Sequence, residues 1–151
     1  LGFAAGPTDI IDAMMKIHQY GIMSAPTLAQ AAGVEAMDFG DKDVSRMRRE
    51  YRRRRDFLFE ALNHAGLKTF LPRGAFYIFP EVSSYFGKKN GEEVIKDSHD
   101  LSMYLLEEAH VATVEGAAFC APDYIRLSYA TSDENIKEAV ARIKVALAKL
   151  K

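Results

Sequence analysis

A single cysteine, Cys120, excludes any intrachain disulfide and agrees with a reducing compartment; alone it is weak ground for a nucleophile, and it is expected to be a small packing residue. Long apolar runs are missing as well. None approaches the roughly 18 residues of a membrane span, and the start lacks the basic, apolar, small-residue order of a signal peptide, so a cytosolic protein without membrane attachment is expected. Neither sign of charge dominates: 20 basic against 21 acidic residues leave a formal charge of -1, and no global field draws the chain to nucleic acid or an anionic surface. The four histidines, His18, His64, His99 and His110, fall on separate predicted helices or their ends with no metal-ligand spacing, which argues against a zinc site. There is no Gly-x-Ser-x-Gly elbow, no Cys-x-x-Cys, no dinucleotide fingerprint and no phosphate loop. The acidic pairs Glu92-Glu93 and Glu107-Glu108 read as solvated, with nothing to raise a pKa.

What is present is a chain of 151 residues, 48% apolar, enough for one ordinary domain or a small domain and a piece of another. It opens on Leu1-Gly2-Phe3-Ala4-Ala5-Gly6-Pro7, which reads as a strand entered in mid-course and so as a fragment. Thr8 is the predicted N-cap of a helix with Asp9 in its first turn and Ile10, Ile11, Met14 and Ile17 as a buried stripe, ended by Gly21. Ser24-Ala25-Pro26, a capping serine followed by a proline in the first turn, predicts a second helix over 28–37, and the polar stretch 38–43 a loop. A long helix follows over 44–65. Its apolar face, Val44, Met47, Tyr51, Leu58, Leu62 and Ala65, is interrupted near Arg54 and Arg55, the pattern of a helix that leaves one core and joins another. The domain boundary is placed along it. Its arginines, Arg46, Arg48, Arg49 and Arg52 to Arg55, lack the interleaved aromatics of a nucleic-acid face and read as a solvated surface with pairs such as Glu50–Arg54 and Arg52–Asp56.

Beyond it, two strands over 67–71 and 75–80, a surface excursion over 81–97, a helix capped by Ser98 and a strand over 111–114 are predicted. A turn at 115–119, a strand at 124–130 and a helix entered at Thr131-Ser132-Asp133-Glu134, a hydroxyl cap followed by two acids in the first turn, with Ile136, Val140, Ile143, Leu147 and Leu150 as its apolar stripe, complete the chain. That order gives an α+β fold, helices covering one face of a small sheet. In Tyr124-Ile125-Arg126-Leu127-Ser128-Tyr129-Ala130, alternation puts Ile125, Leu127 and Tyr129 inward and Arg126 on the other face. A guanidinium held on a strand suits bidentate recognition of a carboxylate, either a ligand's or that of a structural Asp or Glu; the pattern leaves both open.

The ordered set Leu1 to Pro7, Gln19 to Ser24 with Gln30, Arg53-Arg54-Arg55-Asp56, Gly74-Ala75-Phe76-Tyr77, Glu115-Gly116-Ala117-Ala118-Phe119 and Ile125 to Ala130 resembles the C-terminal part of fold-type I, pyridoxal-phosphate-dependent aminotransferases. The closest likeness is to the aspartate and aromatic branch. The resemblance implies that residues 1–45 are the tail of a large cofactor-binding domain, with its C-terminal strand and helices, and that 46–151, with the long linking helix, form the small domain. It implies that Arg126 binds the substrate α-carboxylate and that Phe76 lies near the substrate, a buried strand aromatic being the plainer reading of Phe76. The complete enzyme would move an amino group between an amino acid, such as aspartate, and a 2-oxo acid, as a homodimer. The lysine and other residues that hold the cofactor would lie upstream, so this segment is expected to carry no catalytic, cofactor-binding or metal-binding residue, to bind no pyridoxal phosphate alone and to be inactive alone. A non-catalytic anion-binding or protein-interaction module of the same fold is the competing reading. Two positions depart from the family: Glu115 stands where proline is frequent, and Cys120 where glycine follows the aromatic.

Overall fold

The computed structural model describes residues 1–151, which divide into two compact units, residues 1–47 and 48–151. In the first, α1 (Thr8–Gly21) and α2 (Thr27–Phe39) precede the opening of α3 (Asp41–His64). Both helices start on a proline. Pro7 and Pro26 occupy the cap positions with φ of -56° and -54°, where the pyrrolidine ring holds them, and no side chain closes either cap. Thr8 and Ser24 are therefore not the caps that the sequence suggests: Thr8 is the first residue of α1, and the entry to α2 is tied by Gln30 Nε2 donating to the Ala25 carbonyl at 2.7 Å. The stretch 38–43 is not a loop either, because Gly40 alone separates α2 from α3 and its N–H still donates to the Ala36 carbonyl at 2.9 Å. The stripe expected to be buried is open: α1 buries none of its residues, and Ile10, Met14 and Ile17 are exposed because no layer of this unit covers them.

In the second unit the expected strand over 67–71 shrinks to a single bridge, Thr69 with Pro80. Its backbone is engaged locally instead, the Thr69 N–H donating to Asn63 Oδ1 at 3.1 Å and the Thr69 hydroxyl to the Leu67 carbonyl at 2.8 Å. After β1 (Tyr77–Ile78), residues 81–97 are more than a surface excursion: Val82 and Ile95 are fully buried, and β2 (Lys89–Asn90) pairs with β3 (Glu93–Val94). Lys89 also exchanges both backbone hydrogen bonds with Lys151, at 2.8 and 2.9 Å. Helix α4 (Ser98–Ala109) is capped by Asp97, whose carboxylate accepts the Asp100 N–H at 2.9 Å, while Ser98 is its buried first residue. The strand expected at 111–114 is β4 (Val114–Glu115).

Strand β5 (Ile125–Ser128) is the middle of a three-stranded antiparallel sheet, with β1 on one side and β4 on the other. The inner face, with Ile78, Ile125 and Leu127, shares one core with Leu58 and Leu62 of α3, Leu101 and Leu105 of α4, and Ile136, Ile143 and Leu147 of α5 (Asp133–Leu147). Tyr104, fully buried, donates its hydroxyl to the Ala146 carbonyl at 2.8 Å and so joins α4 to α5 by a bond worth about 1 kcal/mol. The fold is α+β.

The link from β4 to β5 turns on Gly116, whose N–H donates to the Tyr124 carbonyl at 2.8 Å while its carbonyl accepts from Ala121 at 3.0 Å. A Cβ there would stand 2.1 Å from the Ala121 oxygen and 2.3 Å from the Tyr124 oxygen, both main-chain atoms. Cys120 ends the turn at φ 57°, exposed, so it is not a packing residue. A left-handed backbone is one that glycine adopts without strain and that a residue with a side chain adopts at a cost.

Two of the arginine pairs expected on α3 do not form, because Arg54 turns toward α5. Asp133, in the first turn of α5, accepts from Arg53 Nη2 at 2.5 Å and from Arg54 Nε at 3.1 Å; Glu50 pairs with Arg53 at 2.9 Å and Asp56 with its neighbour Arg55. The Arg53 hydrogen bond, ahead of every other influence, holds the Asp133 carboxyl below its ordinary value of 3.8. A carboxyl depressed in this way stabilises the fold above that value and loses its contribution as pH falls through the lower folded pKa. Asp133→Asn is expected to lower the Tm at pH 7 and to flatten the decline of Tm below about pH 4; acid limbs of equal slope in thermal melts against pH would refute this. Gly116→Ala is expected to cost about 1–3 kcal/mol in chemical denaturation, and an unchanged midpoint would show that the β4–β5 turn gives way freely.

Candidate functional site

Arg126 sits on the central strand of its sheet, between Ile125 and Leu127, which are almost completely buried. The pleat therefore carries its side chain to the face away from the core, where it is half-buried. Across the sheet, Val114 is its partner on β4, and Tyr77 stands opposite Ser128 on β1, a diagonal neighbour on the same face. The Arg126 guanidinium carbon lies 4.3 Å from the centre of the Tyr77 ring and 4.5 Å from that of Phe119, which the 3-10 turn Gly116–Phe119 delivers. Phe119 is braced edge-on by Phe79, at 5.8 Å and 89°.

No carboxylate of the chain pairs with Arg126, and no hydrogen bond of the chain uses its N–H donors. Glu115, the acid nearest in the turn, is engaged with His99 Nδ1 at 3.1 Å. The structural ion pair that the strand pattern leaves open is thus not made here. Two π faces attract the cation and position it, each contact worth about 0.5–1 kcal/mol where solvent has access, while the donors remain unspent. Such an arrangement can receive an anion with two oxygens in one plane.

Phe76 lies in the bend before β1 and is 39% exposed, so it is not the buried strand aromatic of the plainer reading. Its ring stacks against Tyr51 of α3 at 6.1 Å and meets Tyr77 at 4.6 Å. Phe76 and Arg126 are therefore two steps apart in a continuous aromatic row, brought together through Tyr77. Sequence reasoning passed over Tyr77 and Phe119 as neighbours of Arg126. The alternation of Tyr77 and Phe79 about the buried Ile78 is the signal that places these two rings on one side of β1. Tyr129 continues β5 in the core; burial pushes its hydroxyl up, and it donates to the Ala75 carbonyl at 2.9 Å. The four histidines are exposed and lie apart, and no group of three His, Cys, Asp or Glu side chains is placed to hold a metal.

The family model of aminotransferase class I and II matches residues 1–143. Among curated relatives, the aspartate/prephenate aminotransferase of Cereibacter sphaeroides is 40% identical over 152 residues, covering 99% of this chain and 38% of its own. Among solved structures, the aspartate aminotransferase of Rhizobium meliloti superimposes with a TM-score of 0.89 at 37% identity, over 98% of this chain and 38% of that one. The aromatic aminotransferase of Pyrococcus horikoshii gives 0.82 at 38% identity, over 95% and 37%. The chain spans well under half the length of the relatives it matches. It belongs to the class I and II aminotransferases.

Proposed function

We propose that this chain is the C-terminal part of a transaminase that exchanges an amino group between an amino acid and a 2-oxo acid, and that Arg126 grips the substrate α-carboxylate. The observation that carries this reading is the guanidinium itself: fixed on the middle strand, flanked by two rings, and without an acid of its own chain. An α-carboxylate supplies the missing partner, common to amino acid and oxo acid alike. Held by two parallel N–H bonds, the substrate loses its rotational freedom before reaction, an entropic contribution to rate. Phe76, partly exposed beside Tyr77, presents an apolar edge to the substrate's body.

In this reading, residues 1–45 belong to the large domain and 46–151 to the small one. The exposed apolar side chains of the first unit, among them Phe3, Ile17 and Met23, are met by other parts of a longer protein. The expectations of a homodimer and a cytosolic location travel with the family; no helix of the structure is long and apolar enough to cross a membrane. The names of the relatives, aspartate, prephenate and aromatic aminotransferases, set the range of substrates to try. Complete enzymes of this family work with pyridoxal phosphate, which supplies an electron sink. No lysine lines either pocket bordered by β5 and its continuation, and in this reading the anchoring of that cofactor falls to other parts of the longer protein rather than to the residues here. Their work is on the substrate carboxylate.

In the complete enzyme, Arg126→Ala is expected to lower kcat/KM for amino acid and oxo acid alike by about a hundredfold or more, with the fold retained by circular dichroism. Arg126→Lys, which keeps the charge and loses the fork, should fall between the two. Unchanged kcat/KM in both half-reactions would overturn the assignment.

A further inference from the structure

The arginines of α3 divide into two sets. Arg46, Arg53 and Arg54 meet Asp43, Glu50 and Asp133, whereas Arg48, Arg49 and Arg52 meet no acid. With Arg55, and with Arg73 from the loop before β1, Arg48 and Arg52 line a concave pocket of about 320 Å³ that Tyr51 and Tyr129 also border. Their spacing, i, i+4 and i+7, puts Arg48, Arg52 and Arg55 on one side of the helix, where like charges repel. Against four guanidinium groups stands one paired carboxylate, Asp56. Neither Arg126 nor Phe76 lines this pocket.

Arg55 is already committed. Its Nε and Nη2 donate to Asp56 at 2.8 and 2.6 Å, and its Nη1 to the Pro72 carbonyl at 3.2 Å. At the other end of the same loop, Tyr129 donates to the Ala75 carbonyl at 2.9 Å. The loop is thus clamped on both sides of Arg73, which reaches the pocket from a fixed backbone. The side chains of Arg48, Arg52 and Arg73 make no hydrogen bond within the chain, and the N–H groups of Gly74 and Ala75, also at the lining, donate to no main-chain acceptor.

Three unspent guanidinium forks thus approach one cavity from two elements. A carboxylate offers two oxygens in one plane and satisfies one fork, whereas a phosphate offers oxygens in three dimensions and at least one full negative charge more readily shared among several. We propose that this pocket binds a small molecule through its phosphate or diphosphate group. Arg48, Arg52 and Arg55 of the run thus form, with Arg73, an anion cradle, and the solvated face accounts for its other members.

The test is calorimetric titration of sodium pyrophosphate into the complete protein loaded with pyridoxal phosphate, whose own phosphate site is then filled. The result expected is one saturable site per chain, weakened about tenfold or more by Arg52→Gln and by Arg73→Gln. Both side chains are exposed and unbonded, so neither change threatens the fold. Arg49→Gln removes the same charge from an exposed, unpaired arginine of α3 outside the pocket and should leave the affinity unchanged; Arg126→Lys should do so as well, which separates this site from the carboxylate grip. Tricarballylate, with three carboxylates, should bind more weakly than pyrophosphate. Absence of saturable binding, an equal loss with Arg49→Gln, or tricarballylate binding as tightly as pyrophosphate would each overturn the proposal.

Discussion

The period of two in β5 is the constraint on which the second unit depends. Ile125 and Leu127 are held between the sheet and its helices, each worth about 1.5–3 kcal/mol by burial, and a slip of one residue would carry both to solvent while driving Arg126 into the core. A buried guanidinium without a partner costs several kcal/mol more. The register is therefore enforced from both faces. What fixes the hydrophobic core fixes the position of the cation, and no separate device is needed to hold it rigid.

The surroundings of Arg126 come from segments distant in the chain, and each arrives by a different route. Tyr77 is placed by strand pairing, since β1 lies antiparallel to β5 with Ile78 opposite Leu127. Phe119 is placed by a turn that closes because Gly116 lacks a side chain and because Cys120 accepts a left-handed backbone. Strand pairing is cooperative with the core, whereas the turn stands on a few main-chain hydrogen bonds at the sheet's margin. The ring from the turn is thus the more easily displaced of the two, although both stand at nearly the same distance from the cation.

Where a structural feature depended on a short local pattern, it was legible. The alternation of 124–130, the stripe of α5 and the Ser132 cap all survive in the structure, because each is decided within a few residues. The starts of α1 and α2 were misread because proline can occupy the cap position by its own geometry, leaving the nearby hydroxyls idle. The 67–71 strand was lost to Asn63, whose side chain takes the Thr69 N–H that a ladder would need. Most hidden was the aromatic flank of Arg126: Tyr77 lies 49 positions earlier, and only the pairing of β1 with β5 brings it near. The absence of an ion pair at Arg126 is of the same kind. Sequence can nominate an acid but cannot show that none pairs with the guanidinium, or that Glu115, the acid nearest in the turn, is engaged with His99.

A net charge of -1 conceals how unevenly the charge is spent. Asp133 is shared by two arginines and stitches α3 to the first turn of α5, a place where the helix dipole also favours an acid. Each such shared acid leaves fewer for the remaining cations, so near-neutrality of the whole is compatible with concave patches of one sign. Arg126 is one such cation and the Arg48, Arg52 and Arg73 cluster another. They differ in what surrounds them. At Arg126 two aromatic faces hold a single guanidinium and leave its fork free; at the other, several guanidinium groups converge on one pocket beside Tyr51 and Tyr129, where no acid lines the wall and like charges repel. In the readings proposed above, the two places differ in how many forks meet the anion: one at Arg126, several in the pocket beside α3.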